Sequence, residues 1–566
     1  MSEQARANWL KGAWLLALLL ALYTAFGLPL FDEDEGEYAE VAVEMAHSGD
    51  YITPTLNGQA FYEKPILAFW LQAPLVDLLG VHAGVFRLPS LIACVLWSWL
   101  IFRFAKQQEE GDQTTAWLAA FFCITSLGVV VSAEAAAMEG VLSLLMCAAC
   151  FDIYRYWLSG SPWVRRRVYG WMALGFLAKG PIAVVIPLLV SVVFFLSQGR
   201  FKQWVRALFD PLGWLLFAIL ALPWYLLQYH LMGQSFIDYF LFRENLGRLS
   251  GTLQGHGGSY AYYLPVLLLI VLPHTTLMLR AGWSSLRQRR TPLTLFLWIW
   301  LGVVLGVFTL AHTKLPHYLL IGLTPVFLLM ARHREALCPQ PAPQNTLADY
   351  PVQAFKQPQA PTEGKPQAGA LAWMLTLLPW LLMAAGTLAL PAWVAHQATQ
   401  VSNPYLHELL QRGPEVFGLA FWGRVLFILG LSLILMLLLR YRVPQAPCWS
   451  WLVLAGLASN ALVSTCWLQA AAALQQQPVL EAARLARSLP GTPPPLVADN
   501  RMPSFAVYSG RPTENRAPRS GDVLFLKADR EAGLPPHDTL YAKGGVRLVR
   551  ILGQPPLPSG SRGTLP

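Results

Sequence analysis

The chain has 566 residues, of which 55% are hydrophobic and only 13% are charged. Soluble globular proteins carry about 25% charged residues, so this composition excludes a soluble multidomain enzyme and is typical of a membrane protein. The formal net charge is +9. The basic residues lie in short segments between apolar runs and do not form one patch, which argues against a nucleic-acid-binding protein.

About thirteen apolar runs approach the length of about 20 residues that a helix needs to cross a bilayer. They lie near residues 13–30, 87–105, 115–133, 140–157, 168–179, 182–198, 209–229, 263–279, 292–311, 318–331, 370–391, 416–439 and 448–467. The first run has no clear small-residue cleavage site after it, so we interpret it as a retained span. The predicted fold class is an α-helical polytopic membrane protein with about thirteen transmembrane helices.

Basic residues follow every second run: Arg103 and Lys106 follow the second run, and Arg165, Arg166 and Arg167 follow the fourth. If all thirteen runs cross the membrane, every basic cluster lies on the same side. Because basic loops remain on the cytoplasmic side, we expect a cytoplasmic N-terminus and a C-terminal segment on the outside.

The chain divides into four predicted regions. Residues 1–335 form a first transmembrane module with outside loops, and residues 336–368 are a cytoplasmic linker rich in Pro, Gln and Ala. Residues 369–469 hold the last three spans. Residues 470–566 are predicted to form a small outside α/β domain, with a helical stretch around 471–489 and strands near 495–498, 522–527 and 546–551.

The first outside loop, residues 31–70, opens with four consecutive acids, Asp32 to Glu35. Such carboxylates can simply solvate a loop, but four in a row repel one another and favour a partner, a metal or a function. We expect at least one of the four to be functional, and Asp34 and Glu35 are among the candidate catalytic carboxylates. Glu139, at the next outside membrane boundary, is a further candidate, because carboxylates serve as bases and stabilise positive charge.

Basic and aromatic residues collect on the same predicted face, next to hydrocarbon. Lys179 ends an apolar run, and Arg248, Lys314 and Tyr318 lie in later outside loops. A lone lysine at the end of a span often only reaches toward the interface. Taken together, these residues favour an amphiphilic substrate with an anionic phosphate head and an apolar tail.

Two interpretations from other classes stay open. A transporter or flippase of an anionic lipid would share the polytopic body, but transporters place charged sites near the bilayer midplane, often in repeats that are not visible here. An assembly subunit without catalysis would account for the outside domain and would leave the first-loop acids unexplained.

The first loop also resembles a known family. The runs Asp34-Glu35-Gly36-Glu37-Tyr38-Ala39-Glu40 and Tyr62-Glu63-Lys64-Pro65 resemble the first-loop signature of GT-C glycosyltransferases, which include the protein O-mannosyltransferases and the lipid A aminoarabinose transferases. Further stretches match in order: Leu177 to Pro181, Glu244 to Arg248, and Thr313 to Tyr318. The segment Asn500 to Arg511 is similar to a tail motif of the aminoarabinose branch.

The resemblance implies an inverting glycosyltransferase that takes a sugar from an undecaprenyl-phosphate donor at the periplasmic face of the bacterial inner membrane. The favoured reaction is transfer of 4-amino-4-deoxy-L-arabinose to lipid A phosphates. Transfer of another sugar to a protein or to another glycolipid is the alternative within the family.

The resemblance also assigns roles to residues. Asp34 matches the acid that the family treats as catalytic, and Glu139 stands near the position of a second acid. Donor-phosphate binding is expected from Lys64, Arg248 and Tyr318, with Lys179 and Lys314 as further candidates. Glu63 matches a carboxylate that can bind a divalent metal (Zn, Mg or Mn), with His256 as the nearest histidine. Two departures are Glu37, where the family usually has arginine, and Asn245, where histidine is common.

Overall fold

The computed structural model describes residues 2–109, 111–252, 255, 257–288, 291–337, 370–443, 447–489, 496–497, 502–511, 513–514 and 516–553. The first helices build the membrane body and its first outside loop. They are α1 (Glu3–Gly27), α2 (Asp34–Ser48), α3 (Leu67–Leu79), α4 (Ala83–Gln108), α5 (Gln113–Thr125), α6 (Leu127–Ala133), α7 (Glu139–Ser159), α8 (Pro162–Lys179) and α9 (Ile182–Ser197). A short antiparallel hairpin, β1 (Thr55–Leu56) and β2 (Gln59–Ala60), lies between α2 and α3.

The next helices complete the region before residue 338. They are α10 (Phe201–Leu208), α11 (Pro211–Met232), α12 (Gln234–Phe236), a π-helix (Ile237–Leu246), α13 (Gly247–Ser250), α14 (Tyr263–Ile270), α15 (Thr275–Arg287), α16 (Pro292–Leu310), a 3-10 helix (Pro316–Gly322), α17 (Leu323–Arg332) and a 3-10 turn (Arg334–Leu337).

The rest of the described chain holds the last helices of the membrane body and the C-terminal domain. The helices are α18 (Ala370–Gln400), α19 (Pro404–Gln411), α20 (Gly413–Val416), α21 (Leu419–Arg442), α22 (Trp449–Leu462), a π-helix (Val463–Trp467), α23 (Leu468–Gln475), α24 (Gln477–Ser488) and α25 (Ser504–Ser509). The strands are β3 (Leu496–Val497), β4 (Val523–Lys527), β5 (His537–Lys543) and β6 (Val546–Ile551), with a 3-10 turn (Ala528–Arg530) after β4.

Every predicted apolar run falls on helical structure, but the count of thirteen spans is not confirmed. Among the described residues, eight helices are long and apolar enough to cross a membrane. The bent pairs α5/α6 (66°) and α14/α15 (114°) raise the number to ten if each pair is one span. Shorter apolar helices such as α9, with 16 residues, rise only about 24 Å, which is less than the hydrocarbon thickness of about 30 Å.

Large apolar side chains fix the helices of the membrane body to one another. Trp97 of α4, Phe121 of α5, Phe151 of α7 and Trp300 of α16 are all fully buried in one continuous core. Trp97 Nε1 donates to Thr324 Oγ1 at 2.8 Å, so the buried indole N–H has a partner. This packing gives a rigid frame on which the first outside loop rests.

The C-terminal domain contains a four-stranded sheet of order β3-β4-β6-β5, in which β3 runs parallel to β4 and the other pairs are antiparallel. Helices α24 and α25 contribute Val479 and Phe505 to its core, against Phe525 and Leu548 of the sheet. The predicted small C-terminal α/β structure is confirmed, and β5 is a strand that the sequence did not indicate. The predicted linker lies outside the described residues except for positions 336–337, and the four domain boundaries stay predictions.

Candidate active site

A cavity of about 250 Å³ lies where α2, α7, α8, α13 and α16 meet. Seven of the ten predicted site residues line this cavity: Asp34, Glu63, Lys64, Glu139, Lys179, Arg248 and Tyr318. Apolar side chains form another part of the lining: Leu142, Ile182, Val307, Phe308, Leu320 and Ile321. The cavity therefore combines charged groups with an apolar wall, as an amphiphilic ligand requires.

Asp34 is the first residue of α2, and its exposed side chain faces the cavity. The partial positive charge at a helix N-terminus stabilises a carboxylate in the first turn. Among the described residues, no basic side chain forms an ion pair with Asp34 within 4.0 Å. Tyr38 lies one turn further along the same face of α2 and also lines the cavity. Asp34 is thus a carboxylate that can act on a bound molecule.

A second acid, Glu139, is held by two partners from distant parts of the chain. Lys179 Nζ, at the last residue of α8, donates to Glu139 Oε1 at 2.5 Å. His317 Nε2, on the 3-10 helix, lies 3.6 Å from the same oxygen. Because Glu139 opens α7, its carboxylate also faces the positive end of that helix. The Glu139 carboxylate and the Lys179 ammonium therefore compensate each other's charge at the cavity wall.

A third group of side chains presents a guanidinium to the cavity. Arg248 Nη2 donates to Glu244 Oε2 at 2.7 Å, and Arg248 Nη1 donates to Tyr318 Oη at 3.1 Å. Burial alone would lower the pKa of Arg248, but the neighbouring tyrosine and glutamate more than offset it and raise the pKa above its usual value. The Thr313 backbone N–H donates to the Arg248 carbonyl at 3.1 Å. These contacts fix a permanent positive charge that can still meet an anion.

Glu63 and Lys64 reach the cavity from the segment between the hairpin and α3. Lys64 Nζ lies 3.9 Å from Glu63 Oε2, and Tyr239 Oη donates to Glu63 Oε1 at 3.3 Å. Burial, and then the charge of Glu63, raise the pKa of the nearby Glu37 to about 8. Glu37 therefore carries little negative charge at neutral pH, which reduces the electrostatic effect of having glutamate where the family usually has arginine.

The C-terminal domain holds the loop that carries Asp34. The Ser504 backbone N–H and hydroxyl donate to the Asp32 carboxylate at 2.9 and 2.5 Å, and Tyr508 Oη accepts from the Leu30 N–H at 2.5 Å. A Cβ on Gly36 would lie 2.4 Å from Asp32 Oδ1 and 2.8 Å from the Ser504 nitrogen, so only glycine permits this approach. The start of α25 is therefore an anchor for the start of α2.

The structure places Glu35 away from the cavity. It is buried and accepts from Arg87 Nε at 3.1 Å, from Arg87 Nη2 at 2.6 Å, and from the backbone N–H groups of Phe31 and Ala136. Arg87, fully buried, also donates to the carbonyls of Leu28 and Pro29. The geometry gives Glu35 a structural role, since its oxygens already have these partners, and does not support the predicted catalytic role.

Lys314 is not brought to the cavity either. Lys314 is buried, and its Nζ donates to the carbonyls of Thr309 and Ala311 at 2.8 Å each, which closes the C-terminal end of α16. This position does not support the predicted contact with a donor phosphate. His256 lies outside the described residues.

Several lining residues were not selected from the sequence. Tyr38 and Glu33 flank Asp34, and Glu244 and His317 lie inside stretches that the family resemblance had already marked. The spacing of Asp34 and Tyr38 on one helix face was a usable signal for Tyr38. For His317 the signal was its place in the stretch Thr313 to Tyr318, but its approach to Glu139 depends on how distant helices pack.

The described residues contain no group of three or more His, Cys, Asp or Glu side chains arranged to hold a metal ion. Glu63, the predicted metal ligand, has Lys64 and Tyr239 as its near neighbours. The Lys64 ammonium competes with a metal cation for the Glu63 carboxylate. Among the described residues Glu63 therefore belongs to no such group, and we derive no catalytic step through a metal.

Comparison with known proteins is consistent with this geometry. Residues 63–226 match the family model of dolichyl-phosphate-mannose-protein mannosyltransferases. The chain is 32% identical over 330 residues to the undecaprenyl phosphate-alpha-4-amino-4-deoxy-L-arabinose arabinosyl transferase of Aeromonas hydrophila, covering 56% of this chain and 59% of that protein. A Proteus mirabilis protein of the same name, numbered 2, is 30% identical over 334 residues, covering 57% and 59%. The chain thus spans about three fifths of the curated relatives it matches.

Solved structures show the fold. The crystal structure of ArnT from Cupriavidus metallidurans in the apo state superposes with a TM-score of 0.75 at 18% identity, covering 96% of this chain and 98% of that one. The same protein bound to undecaprenyl phosphate gives a TM-score of 0.72 at 19% identity, with the same coverage. These superpositions confirm the predicted GT-C fold of a multi-pass membrane protein.

Proposed function

We propose that the chain is a membrane glycosyltransferase whose donor is a sugar linked to a polyprenyl phosphate. The observation that best supports this proposal is the cavity, which the Asp34 carboxylate lines together with Lys64, Arg248 and an apolar wall. Cations suit a lipid phosphate and the apolar wall suits its tail. A carboxylate that has no ion pair within the described part of the chain suits the reacting sugar. The names of the sequence relatives support the same donor class.

We further propose that the donor is undecaprenyl phosphate-linked 4-amino-4-deoxy-L-arabinose and that the acceptor is a phosphate of lipid A. The reaction then takes place at the periplasmic face of the bacterial inner membrane, with the N-terminus in the cytoplasm. The relatives' names support the sugar, and the alternating basic loops support the orientation. A protein or another glycolipid is the alternative acceptor.

In the proposed reaction, the bond between the anomeric carbon and the donor phosphate oxygen breaks, and its electron pair stays on that oxygen. Lys64 and Arg248 stabilise the departing phosphate. An acceptor oxygen attacks from the opposite face of the sugar, so the configuration inverts. Asp34 stabilises the positive charge that develops on the sugar. An ionised phosphate acceptor brings no proton, whereas a hydroxyl acceptor would give its proton to Asp34.

In this scheme Glu139 acts through Lys179. The 2.5 Å contact between them fixes the ammonium at the cavity wall, beside His317. Tyr318 donates to the phosphate or keeps the Arg248 guanidinium in place. Six of the seven predicted lining residues thus receive either a reacting or a positioning role, and Glu63 receives none in this scheme.

A divalent metal stays a separate proposal, because Glu63 lines the cavity and His256 lies outside the described residues. Its test is dialysis of the purified protein against a chelator, followed by a transfer assay with and without added Zn²⁺, Mg²⁺ or Mn²⁺. Loss of transfer that one ion restores would support a metal site, and unchanged transfer would refute it.

The test of the proposed function is a reconstituted transfer assay. The purified protein in lipid nanodiscs receives a radiolabelled undecaprenyl-phosphate sugar together with lipid A. The proposal expects release of undecaprenyl phosphate and label in lipid A, both dependent on Asp34. Donor consumption without labelled lipid A would keep the donor class and reject this acceptor. Absence of donor consumption for the aminoarabinose and mannose donors alike would refute the proposal.

A further inference from the structure

Two surface features lie at the opposite end of the membrane body from the cavity. Helix α7 begins at Glu139 in the cavity wall and ends at Ser159, 21 residues later. At 1.5 Å per residue it spans about 30 Å, which is the thickness of the hydrocarbon layer. Its far end meets the basic loops that the sequence predicts to be cytoplasmic.

At that end the surface forms a polar depression of about 370 Å³. Three cations line it, Arg200, Lys202 and Arg206, and none of its lining residues is acidic. Arg200 Nη1 donates to the Trp157 carbonyl at 2.7 Å, and the guanidinium lies over the Trp157 ring at 4.8 Å. Arg200 is therefore held in place, and the depression is built to meet an anion.

Next to this depression lies an apolar crevice of about 90 Å³ between α8, α9, α10 and the start of α11. Tyr156 lines both. The eight-residue helix α10 covers the crevice, fixed by Trp204 Nε1 donating to Ser191 Oγ at 3.0 Å. Leu188 and Trp214 line the crevice, and both are partly exposed apolar side chains at the surface of the membrane body. The crevice therefore suits part of an acyl chain.

Exposed aromatic side chains surround the two features. Trp163 is 68% exposed and Phe209 is 73% exposed, and Phe201 at the start of α10 is also exposed. Aromatic residues concentrate at the boundary between lipid and water in membrane proteins. This belt places the cationic depression at the headgroup level and the crevice at the level of the acyl chains.

From this juxtaposition we propose that the chain holds one anionic glycerophospholipid of the adjacent leaflet at this site. The lipid phosphate lies between Arg200, Lys202 and Arg206, and one acyl chain enters the crevice beneath α10. The charge of the depression favours an anionic over a zwitterionic lipid. The amphipathic α10, which presents Lys202 and Arg206 to water, is the element that joins the two halves of the site.

Undecaprenyl phosphate is also an anionic lipid, so the experiment must separate the two. The whole purified chain is transferred from detergent into nanodiscs of phosphatidylglycerol and phosphatidylcholine, extracted again, and analysed for retained lipid by native mass spectrometry. A parallel sample contains added undecaprenyl phosphate. The test variants are the pair Lys202→Ala/Arg206→Ala and, for the crevice, Leu188→Trp. The matched control is Arg440→Ala/Arg442→Ala, which removes two exposed basic residues from the end of α21.

The proposal expects the wild type and the control to retain about one phosphatidylglycerol per chain. The double variant should lose at least about tenfold in apparent affinity, because each basic residue near an anionic surface contributes severalfold. Leu188→Trp should lower retention with the cations intact. Equal retention by the double variant, equal retention of phosphatidylcholine, or displacement of the bound lipid by undecaprenyl phosphate would each overturn it. The substituted side chains are at the surface, and unfolding in detergent alone checks that the variants are folded.

Discussion

At the scale of single residues, Asp34 differs from the other acids of the first loop. Asp32 is bonded to Ser504 and Glu35 to Arg87, whereas Asp34 faces the cavity without an ion pair among the described residues. Glu33, the residue before α2, lines the cavity as well, whereas Asp34 lies in the first turn of the helix, where the partial positive charge of the helix N-terminus stabilises its carboxylate. We therefore assign the action on the substrate to Asp34.

We predict that Asp34→Asn keeps donor binding and lowers turnover by ~10²–10³-fold, the usual cost of one lost charge-stabilising contact. The measurement is turnover at saturating donor, with binding of undecaprenyl phosphate measured separately. The control is Glu415→Gln, at an exposed site far from the cavity. Asp32→Asn would not serve as a control, because it would loosen the loop that carries Asp34. Near-normal turnover by purified Asp34→Asn would reject the assignment.

Arg248 is predicted to act mainly on donor binding. Loss of a charged hydrogen bond costs about 1.5–3 kcal/mol, so Arg248→Ala should raise the KM for the donor by roughly 10–100-fold. Tyr318→Phe removes the hydroxyl that accepts from the Arg248 guanidinium but leaves the Arg248 charge in the cavity, so it should raise the KM by less than Arg248→Ala does. Arg243→Ala is the matched control, because Arg243 is an exposed arginine near the same Glu244 and does not line the cavity. Equal KM values for Arg248→Ala and Arg243→Ala would contradict this role.

Glu40, on the inner face of α2, provides a pH test of the fold. It is 5% exposed, its Oε2 has no hydrogen-bond partner among the described residues, and burial followed by the charge of Glu44 raises its pKa to about 8. The folded chain therefore binds this proton more tightly than the unfolded chain does. The contribution of the protonated Glu40 to the free energy of unfolding is fully present below about pH 4.5 and is lost as the pH rises through about 8.

Glu40→Gln should then melt at nearly the same temperature as the wild type at pH 5 and at a higher temperature at pH 9, because glutamine resembles the protonated acid at every pH. Melting of the purified protein in detergent at both pH values is the measurement, with Glu415→Gln as the exposed control. A lower melting temperature of Glu40→Gln at pH 9 would contradict the assigned protonation.

At the scale of elements, the contact between α25 and the start of α2 joins the C-terminal domain to the active site. Removing the Ser504 hydroxyl takes a donor from the partly buried Asp32, whose pKa is raised to about 7, chiefly by burial. We predict that Ser504→Ala lowers kcat at least about threefold with the donor KM nearly unchanged, since the loop loses its position and the phosphate site stays intact. Ser504→Thr, which keeps the hydroxyl, should restore most of the rate.

Ser509→Ala is the matched control for this prediction. Ser509 lies on the same helix, is equally buried, and donates to the Ala506 carbonyl without touching the first loop. Equal kcat losses in the Ser504→Ala and Ser509→Ala variants would contradict the prediction, because the loss would then come from destabilisation of the C-terminal domain.

Two elements differ from what the sequence predicted. The predicted span at 263–279 is the pair α14 and α15, which meet at 114°. Hydropathy averages over a window and does not register the direction of the chain. The strand β5 was missed because its residues, HDTLYAK, are largely polar or exposed at the edge of the sheet. The hairpin turn at Asn57 and Gly58, by contrast, follows from residues that accept positive φ angles.

At the scale of the whole molecule, the composition and the ordered motifs predicted a GT-C membrane protein, and that fold is confirmed. The sequence analysis marked Glu139, Lys179 and the stretch around His317. Along the chain, Lys179 lies 40 residues after Glu139, and His317 lies 178 residues after it. Their convergence on one oxygen depends on tertiary packing, which no local pattern encodes. For the same reason Lys314 was assigned to the cavity although it caps α16.

The most direct test of the proposed activity is mass spectrometry of lipid A from a bacterial strain that lacks this gene and carries either the wild-type chain or Asp34→Asn on a plasmid. The account predicts an aminoarabinose mass increment on the lipid A phosphates with the wild type, and its absence with an equal membrane amount of Asp34→Asn. Lipid A that is identical in the deletion strain and the wild-type-complemented strain would contradict the assigned acceptor and sugar.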